Sequence, residues 1–246
     1  MHNAATHSAV SDALVALAQS TPDAVALDEA RSAVLRARQW ISASSGTARS
    51  ASGDGRPAHL MSGALQDSPS GDARTNAWAH GVVLSNTEPD LLTTPILAAV
   101  IAWSDSQPAA QSEQVAAAVA VASQATTRLL DAIDSPEFRE RWNVVSALGV
   151  LGATLAVSRL VGLDAGKMRH ALGIAATQAA GLARNRDASL HGIEVGKAAA
   201  DAIEATLLAK HGFTSAVASI DGRRGLAALM AYRFDASAIT GESTAA

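Results

Sequence analysis

The sequence contains no cysteine, and aromatic residues make up only 3% of its 246 residues. The absence of cysteine excludes disulfide bonds, thiolate metal sites and a cysteine nucleophile, and it is compatible with a reducing cytoplasm. Basic residues form no cluster longer than Arg223-Arg224, and the net charge is −4. The chain therefore lacks the basic patch that nucleic acids and anionic membranes attract, and we expect neither as a partner.

Long hydrophobic runs are also missing. No stretch reaches 18 uninterrupted apolar residues, and the N-terminal segment has neither a basic region nor a long apolar one. A transmembrane helix and an export signal are therefore not expected. These features predict a soluble, cytoplasmic protein.

What the sequence has in abundance is alanine, within a hydrophobic content of 48%. Alanine is the best helix former, and a chain of this length can bury a large core. Helical spacing, caps and breakers predict helices near 11–20, 22–42, 73–84, 95–104, 109–134, 144–161, 165–182 and 195–211. No strand-like alternation of useful length occurs, so the predicted fold class is all-α.

The predicted domain organisation is simple. An N-terminal tail (1–10) precedes one helical domain (11–235), and a C-terminal tail follows (236–246). Within the domain, residues from about 43 to 74 are rich in Gly, Ser, Asp and Pro, which is typical of a long flexible loop. A short polar segment, Ser85-Asn86-Thr87-Glu88, separates two apolar runs, and local rules predict a helix cap and a turn there.

Several phrases of the sequence resemble the MmgE/PrpD family, which includes 2-methylcitrate dehydratase, cis-aconitate decarboxylase and iminodisuccinate epimerase. The most specific is LVGLDAGKMRHALGIAATQAAGL at 160–182. Three others follow the family order: ARTNAWAHGVVLSNT (73–87), GKAAADAIEATLLAKHGFTS (196–215) and DGRRGLAALMA (221–231). The resemblance covers roughly residues 11–231 and implies the family's helical domain. Full-length members continue into a smaller α/β lid domain, and this sequence stops where the lid would start, so we expect a single domain without a lid.

The resemblance also implies where a site would lie. Family members eliminate water or CO2 from small polycarboxylic acids, which requires cations for the carboxylates and groups that accept and donate protons. The family's Asp-Asp-Thr run falls on Ser85, Asn86 and Thr87, so that only the threonine is kept. An earlier aspartate falls on Val83, and a following histidine falls near Leu91.

Two further motifs of the family are also changed. A histidine that precedes the Gly-rich helix falls on Trp142. In a Lys-x-Leu-His-Pro-Gly-Arg run, the lysine falls on His191 and the histidine on Glu194. Replacing a lysine by a histidine weakens carboxylate binding, because histidine is mostly neutral at pH 7. The standard family chemistry is therefore not expected, and a more apolar pocket would suit a larger, less charged ligand.

From these positions we predict His191 as acid or base and Glu194 as the residue that orients it. The two would share a helical face, but the sequence favours a loop before a helix that begins near Val195. His80 is the third catalytic candidate, with a structural histidine bonded to a backbone carbonyl as the alternative.

The predicted substrate-binding residues are those of the polar segment, Ser85, Asn86, Thr87 and Glu88, together with Trp142, Arg184 and Arg186. Either arginine could replace the charge of the missing lysine, with a solvated loop as the alternative. We predict no cofactor and no metal, because His191 and Glu194 lack a third ligand nearby.

Taken with the resemblance, these residues predict a cofactor-independent lyase or isomerase that acts on a small organic acid or a biosynthetic intermediate. The alternative is a catalytically inactive subunit or binding protein that pairs with a lid-bearing family member. The classical dehydratase or decarboxylase activity is a third possibility. Because an open pocket is a poor place for charge chemistry, we expect a homo-oligomer or a heteromer with a lid-bearing subunit.

Overall fold

The computed structural model of the protein describes residues 8–47, 72–87, 92–107 and 111–241. Within these ranges the chain forms helices joined by turns, and its one isolated β-bridge is antiparallel, between Trp142 and Leu182. The all-α prediction is confirmed. The α-helices are α1 (Ala9–Gln19), α2 (Ala24–Thr47), α3 (Ala73–Leu84), α4 (Thr94–Asp105), α5 (Ser112–Ile133), α6 (Pro136–Arg141), α7 (Val144–Val161), α8 (Ala165–Gln178), α9 (Leu190–Lys210), α10 (Leu226–Met230) and α11 (Ser237–Thr240).

Helix α7 is the centre of the domain. It contacts α4, α5, α8 and α9, and every residue from Ser146 to Ser158 is buried. By length and composition α7 could cross a membrane, but 72% of it is buried inside the domain. That burial is typical of the core helix of a soluble protein, because the apolar surface is already covered by neighbouring helices.

Helices α3 and α9 make the most extensive contact in the described part of the chain. Glycines occupy the crossing on both helices. A Cβ at Gly81 would lie 2.5 Å from the Cα of Gly196, and a Cβ at Gly196 would lie 2.4 Å from the backbone oxygen of Trp78. The two backbones can approach this closely only because neither residue carries a side chain.

The ends of the domain differ from the sequence-based prediction. Part of the expected N-terminal tail belongs to α1, because Ser8 accepts a hydrogen bond from Ser11 N and Val10 is buried. Part of the expected C-terminal tail forms α11, whose Ile239 is buried against the core. In both places a single apolar side chain ties the end of the domain to its core.

Two other boundaries also differ. Helix α2 continues to Thr47, into the stretch predicted as loop, since the alanine and serines at 42–45 are compatible with a helix. Residues 48–71 of that loop lie outside the described residues. Helix α8 ends at Gln178, four residues early, because Gly181 has φ +130° and the chain turns there to pair with Trp142. Gly212 follows α9 with φ +94°, the left-handed conformation that is common for a glycine just after a helix.

Candidate functional site

His191 and Glu194 are the second and fifth residues of α9, which begins at Leu190. The prediction of a loop up to Val195 is therefore wrong. The helix begins earlier because tertiary contacts hold its first turn: the Oγ of Ser85 lies against Gly192, and the side chain of Asn143 bonds to both candidate residues. Being three residues apart on a helix, His191 and Glu194 share one face.

Asn143 is the residue that joins the two. Its side chain is buried, with only 1% of its surface exposed, at the start of α7. The Nδ2 atom donates a hydrogen bond to Oε2 of Glu194 over 2.8 Å and lies 3.0 Å from Nδ1 of His191. Glu194 was predicted to orient His191 directly. In the described part of the chain Asn143 lies between them and bonds to both, and no hydrogen bond joins the carboxylate to the imidazole. The orienting role of Glu194 stays a prediction.

The other oxygen of Glu194 is also engaged. Oε1 accepts hydrogen bonds from Asn185 Nδ2 over 2.6 Å and from the backbone N–H of Leu182 over 3.3 Å. The carboxylate is thus held by neutral donors on both oxygens. Such bonds to a charged acceptor are stronger than neutral ones and fix the carboxylate in place.

His191 is half-buried, and burial lowers its pKa below the usual value near 6.5. The negative charges of Glu194 and Asp187 raise the pKa of His191, and the positive charge of Arg186 lowers it further. Desolvation disfavours the charged imidazolium because the surroundings solvate it less well than water. At pH 7 the imidazole is therefore neutral, with one N–H donor and one acceptor nitrogen.

The segments before α7 and α9 form a common frame for the cluster. Trp142 pairs with Leu182 in the antiparallel bridge, and the backbone N–H of Asn143 donates to the oxygen of Gly181 over 3.1 Å. The predicted substrate contact Trp142 is partly buried, and the guanidinium carbon of Arg141 lies 5.8 Å from the centre of its ring. Its Nε1 is buried and has no hydrogen-bond partner within the described part of the chain. An acceptor atom of a ligand or of a water molecule would satisfy that donor.

The two candidate arginines differ. Arg186 lies near enough to His191 to affect its pKa, and its Nη2 donates to the backbone oxygen of Arg139 over 2.9 Å. Arg184 is exposed on the 3-10 turn Ala183–Asn185, and no bond to another described residue is formed. Of the two, Arg186 is the one whose charge reaches the cluster. Ligand binding by either remains a prediction.

The polar segment after α3 caps its own helix. Ser85 Oγ and Asn86 Nδ2 both donate to the backbone oxygen of Val82 over 2.9 Å, and the hydroxyl of Thr87 donates to the oxygens of Val83 and Leu84. The prediction of a helix cap is confirmed. Ser85 also touches Gly192, next to His191, so the segment borders the cluster. The predicted binding roles stay predictions, and Glu88 and Leu91 lie outside the described residues.

His80 faces a different set of neighbours. Burial lowers the pKa of His80, and the positive charge of Arg38 lowers it further. The negative charge of Asp105 and a hydrogen bond with the backbone of Ala98 raise it. Its Nδ1 is buried and has no hydrogen-bond partner among the described residues. No recorded contact between described residues links His80 to His191, so the structure does not bring the third catalytic candidate into the cluster.

Asn143 and Asn185 are not among the residues predicted from the sequence. Asn143 stands directly before the apolar run of α7, where an asparagine reads as an ordinary N-cap. Asn185 lies in a short turn with two arginines and carries no signal of its own. In the described ranges no three His, Cys, Asp or Glu side chains meet in a way that could hold a metal ion. The chemistry of the cluster is therefore that of an imidazole, two amides and a carboxylate.

The fold and cluster together define a class: an all-α domain with a polar cluster where two of its core helices begin. The profile of the MmgE/PrpD N-terminal domain matches residues 87–238, which is more than half of the chain. The protein belongs to the MmgE/PrpD family. A comparison with curated protein sequences finds no match.

Proposed function

We propose that the protein is part of a cofactor-independent lyase or isomerase that acts on a small organic acid or a biosynthetic intermediate in the cytoplasm. His191 is the group through which this chain acts on the substrate. The observation that carries the proposal is the cluster itself: a half-buried, neutral imidazole held by Asn143, at the position where the family resemblance predicts a site.

The physical support for the proposal is preorganisation. A hydrogen-bonding group acts on a developing charge most effectively when its position is fixed before the substrate arrives, since no reorganisation is then needed. Asn143 is itself fixed by Glu194, whose other oxygen is bonded by Asn185 and Leu182. The imidazole therefore sits at the end of a chain of hydrogen bonds that the substrate does not have to form.

A partner chain is also part of the proposal. Both oxygens of Glu194 are used within the fold, so a second group for proton transfer would come from elsewhere. Next to the cluster, Leu182 and Leu190 expose 58% and 43% of their surface. Exposed apolar side chains at the rim of a polar site favour a covering partner, which we propose to be a second copy or a lid-bearing subunit.

A non-catalytic role is the second candidate, and one observation favours it. The side chains of Ser85, Asn86 and Thr87, where the family resemblance places an Asp-Asp-Thr run, donate to carbonyls of their own helix. A chain that stabilises a partner or binds a ligand needs no proton transfer at this place. In that case the protein is a subunit or binding protein that pairs with a catalytic family member.

The test uses the complex purified from the native host, with any co-purifying chain identified by mass spectrometry. The complex is incubated with a panel of small hydroxy acids and unsaturated di- and tricarboxylic acids in D2O, and NMR follows deuterium incorporation and product formation. His191→Gln keeps a polar side chain but removes the imidazole. His211→Gln, at the exposed end of the same helix, is the matched control.

We expect turnover that falls about 100-fold or more in His191→Gln and stays unchanged in His211→Gln, in line with the loss of one preorganised donor. Turnover that is equal in both variants would support the non-catalytic candidate. A chain that purifies alone, without ligand and without turnover, would count against both. Turnover of 2-methylcitrate or cis-aconitate by the purified chain alone would favour the classical activity instead.

A further inference from the structure

The hydrogen bonds within the cluster bear on which ring nitrogen of His191 carries the proton. A neutral imidazole exists in two forms, with the proton on Nδ1 or on Nε2, and the hydrogen bond at one nitrogen decides which form is present. The form determines whether the nitrogen that faces a substrate acts as a base or as a donor. The neighbours of Nδ1 therefore determine which form His191 adopts.

The partner of Nδ1 is Asn143, and the orientation of its amide is fixed by Glu194. The amide atom that lies 3.0 Å from Nδ1 also lies 2.8 Å from Oε2 of Glu194. A carboxylate oxygen only accepts hydrogen bonds, so this amide atom must be the nitrogen, which only donates. One N–H of the amide then points to Glu194 and the other to His191.

We infer that Asn143, held by Glu194, keeps the proton of His191 on Nε2 and so makes Nε2 a hydrogen-bond donor. Asn143 and Glu194 are thus positioning residues for His191. The inference rests on the proposed function only for the role of the site, because the position of the proton is a property of the chain alone. It does not depend on turnover.

The consequence concerns the ligand. A neutral imidazole with its proton on Nε2 cannot accept a proton there, but it can donate a hydrogen bond to an oxygen that carries or develops negative charge. The ligand therefore presents an acceptor oxygen, of a carboxylate or a carbonyl group, to Nε2. A proton that leaves the substrate has to be taken by another group.

Glu194→Gln tests the arrangement, because it should move the proton of His191 from Nε2 to Nδ1. Oε1 accepts from the backbone N–H of Leu182, which cannot reverse its polarity, so the oxygen of the new amide stays on that side. Its nitrogen then faces Asn143, whose amide has to rotate and present oxygen instead. That oxygen accepts from Nδ1 of His191, and the proton moves from Nε2 to Nδ1.

The experiment is long-range 1H–15N NMR on the full chain, which shows which ring nitrogen is protonated. His170 is an internal reference, because its Nδ1 accepts from the backbone N–H of Ser215 over 3.2 Å and its proton is expected on Nε2 in every variant. Glu204→Gln is the matched control on the same helix, where Glu204 bonds Arg74 at a distance from the cluster.

In the wild type and in Glu204→Gln, we expect His191 to show the Nε2–H form. In Glu194→Gln, we expect the Nδ1–H form to predominate. The Nδ1–H form in the wild type overturns the inference, and this result does not require any variant to fold. An unchanged form in Glu194→Gln overturns the role of Glu194. Both results are independent of whether the complex turns over a substrate.

Discussion

Gly81→Ala should destabilise the domain and loosen the site at the same time. The new Cβ would lie 2.5 Å from the Cα of Gly196 and 2.8 Å from its backbone N, whereas ordinary contacts begin near 3.4 Å. The obstacle is backbone, so no side chain can move away. Helices α3 and α9 would have to separate by roughly 1 Å at their closest point, in a region packed as densely as a crystal.

The magnitude follows from two opposing effects. Overpacking of this kind costs up to about 3 kcal/mol. Alanine is a better helix former than glycine by about 1 kcal/mol, which offsets part of the cost. The net loss of unfolding free energy is then about 2 kcal/mol, or a fall in Tm of roughly 4–8 °C for a domain of this size.

Urea and thermal unfolding followed by circular dichroism measure this loss. Gly166→Ala in α8 is the control, because its new Cβ would meet only Oδ1 of Asp164, at 3.2 Å. We expect that variant to remain within about 1 kcal/mol of the wild type. If Gly81→Ala proves as stable as Gly166→Ala, the close contact of the two backbones does not limit the packing, and the reasoning is wrong.

Two further predictions concern stability. Phe138 in α6 is fully buried, so Phe138→Ala should lower the unfolding free energy by about 3–5 kcal/mol. Glu137 is exposed, and Glu137→Ala should change it by less than about 0.5 kcal/mol. Because burial lowers the pKa of His80 below about 6.5 in the folded chain, the unfolded chain binds more protons than the folded chain when the pH is lowered. The unfolding free energy should therefore fall as the pH is lowered through about 6.5, the usual pKa of histidine, and it should fall less steeply in His80→Gln than in His211→Gln. Equal slopes in urea titrations of those two variants would contradict the argument for His80.

The sequence predicted the helices whose ends are marked by local chemistry. The limits predicted for α7 are those observed, because a largely apolar stretch lies between Asn143 and Gly162. Helix α8 begins after Asp164, whose side chain accepts from Lys167 N. Each of these ends depends on residues within one helical turn, so periodicity and capping rules are sufficient.

The start of α9 could not be predicted in this way. The stretch before His191 has no side-chain cap, and its first turn is held by Ser85 and Asn143, which are far away in the sequence. The same holds for the link between Asn143 and Glu194, which are 51 residues apart. Local patterns identified His191 and Glu194 as candidates, but the amide between them is a property of the tertiary structure.

The segments before α7 and α9, which frame the cluster, are joined by the bridge of Trp142 with Leu182 and by the hydrogen bond from Asn143 N to the oxygen of Gly181. A third contact, from Arg186 to the backbone oxygen of Arg139, joins the segment before α9 to the end of α6. Amides in both connections should therefore exchange with solvent deuterium in a single opening event, as one cooperative unit. Since Asn143, Leu182 and Asn185 all donate to Glu194, an opening that breaks these three bonds would release both of its oxygens. The position of the Glu194 carboxylate is thus set by the segments before α7 and α9. It should be kept only while these two segments stay in contact.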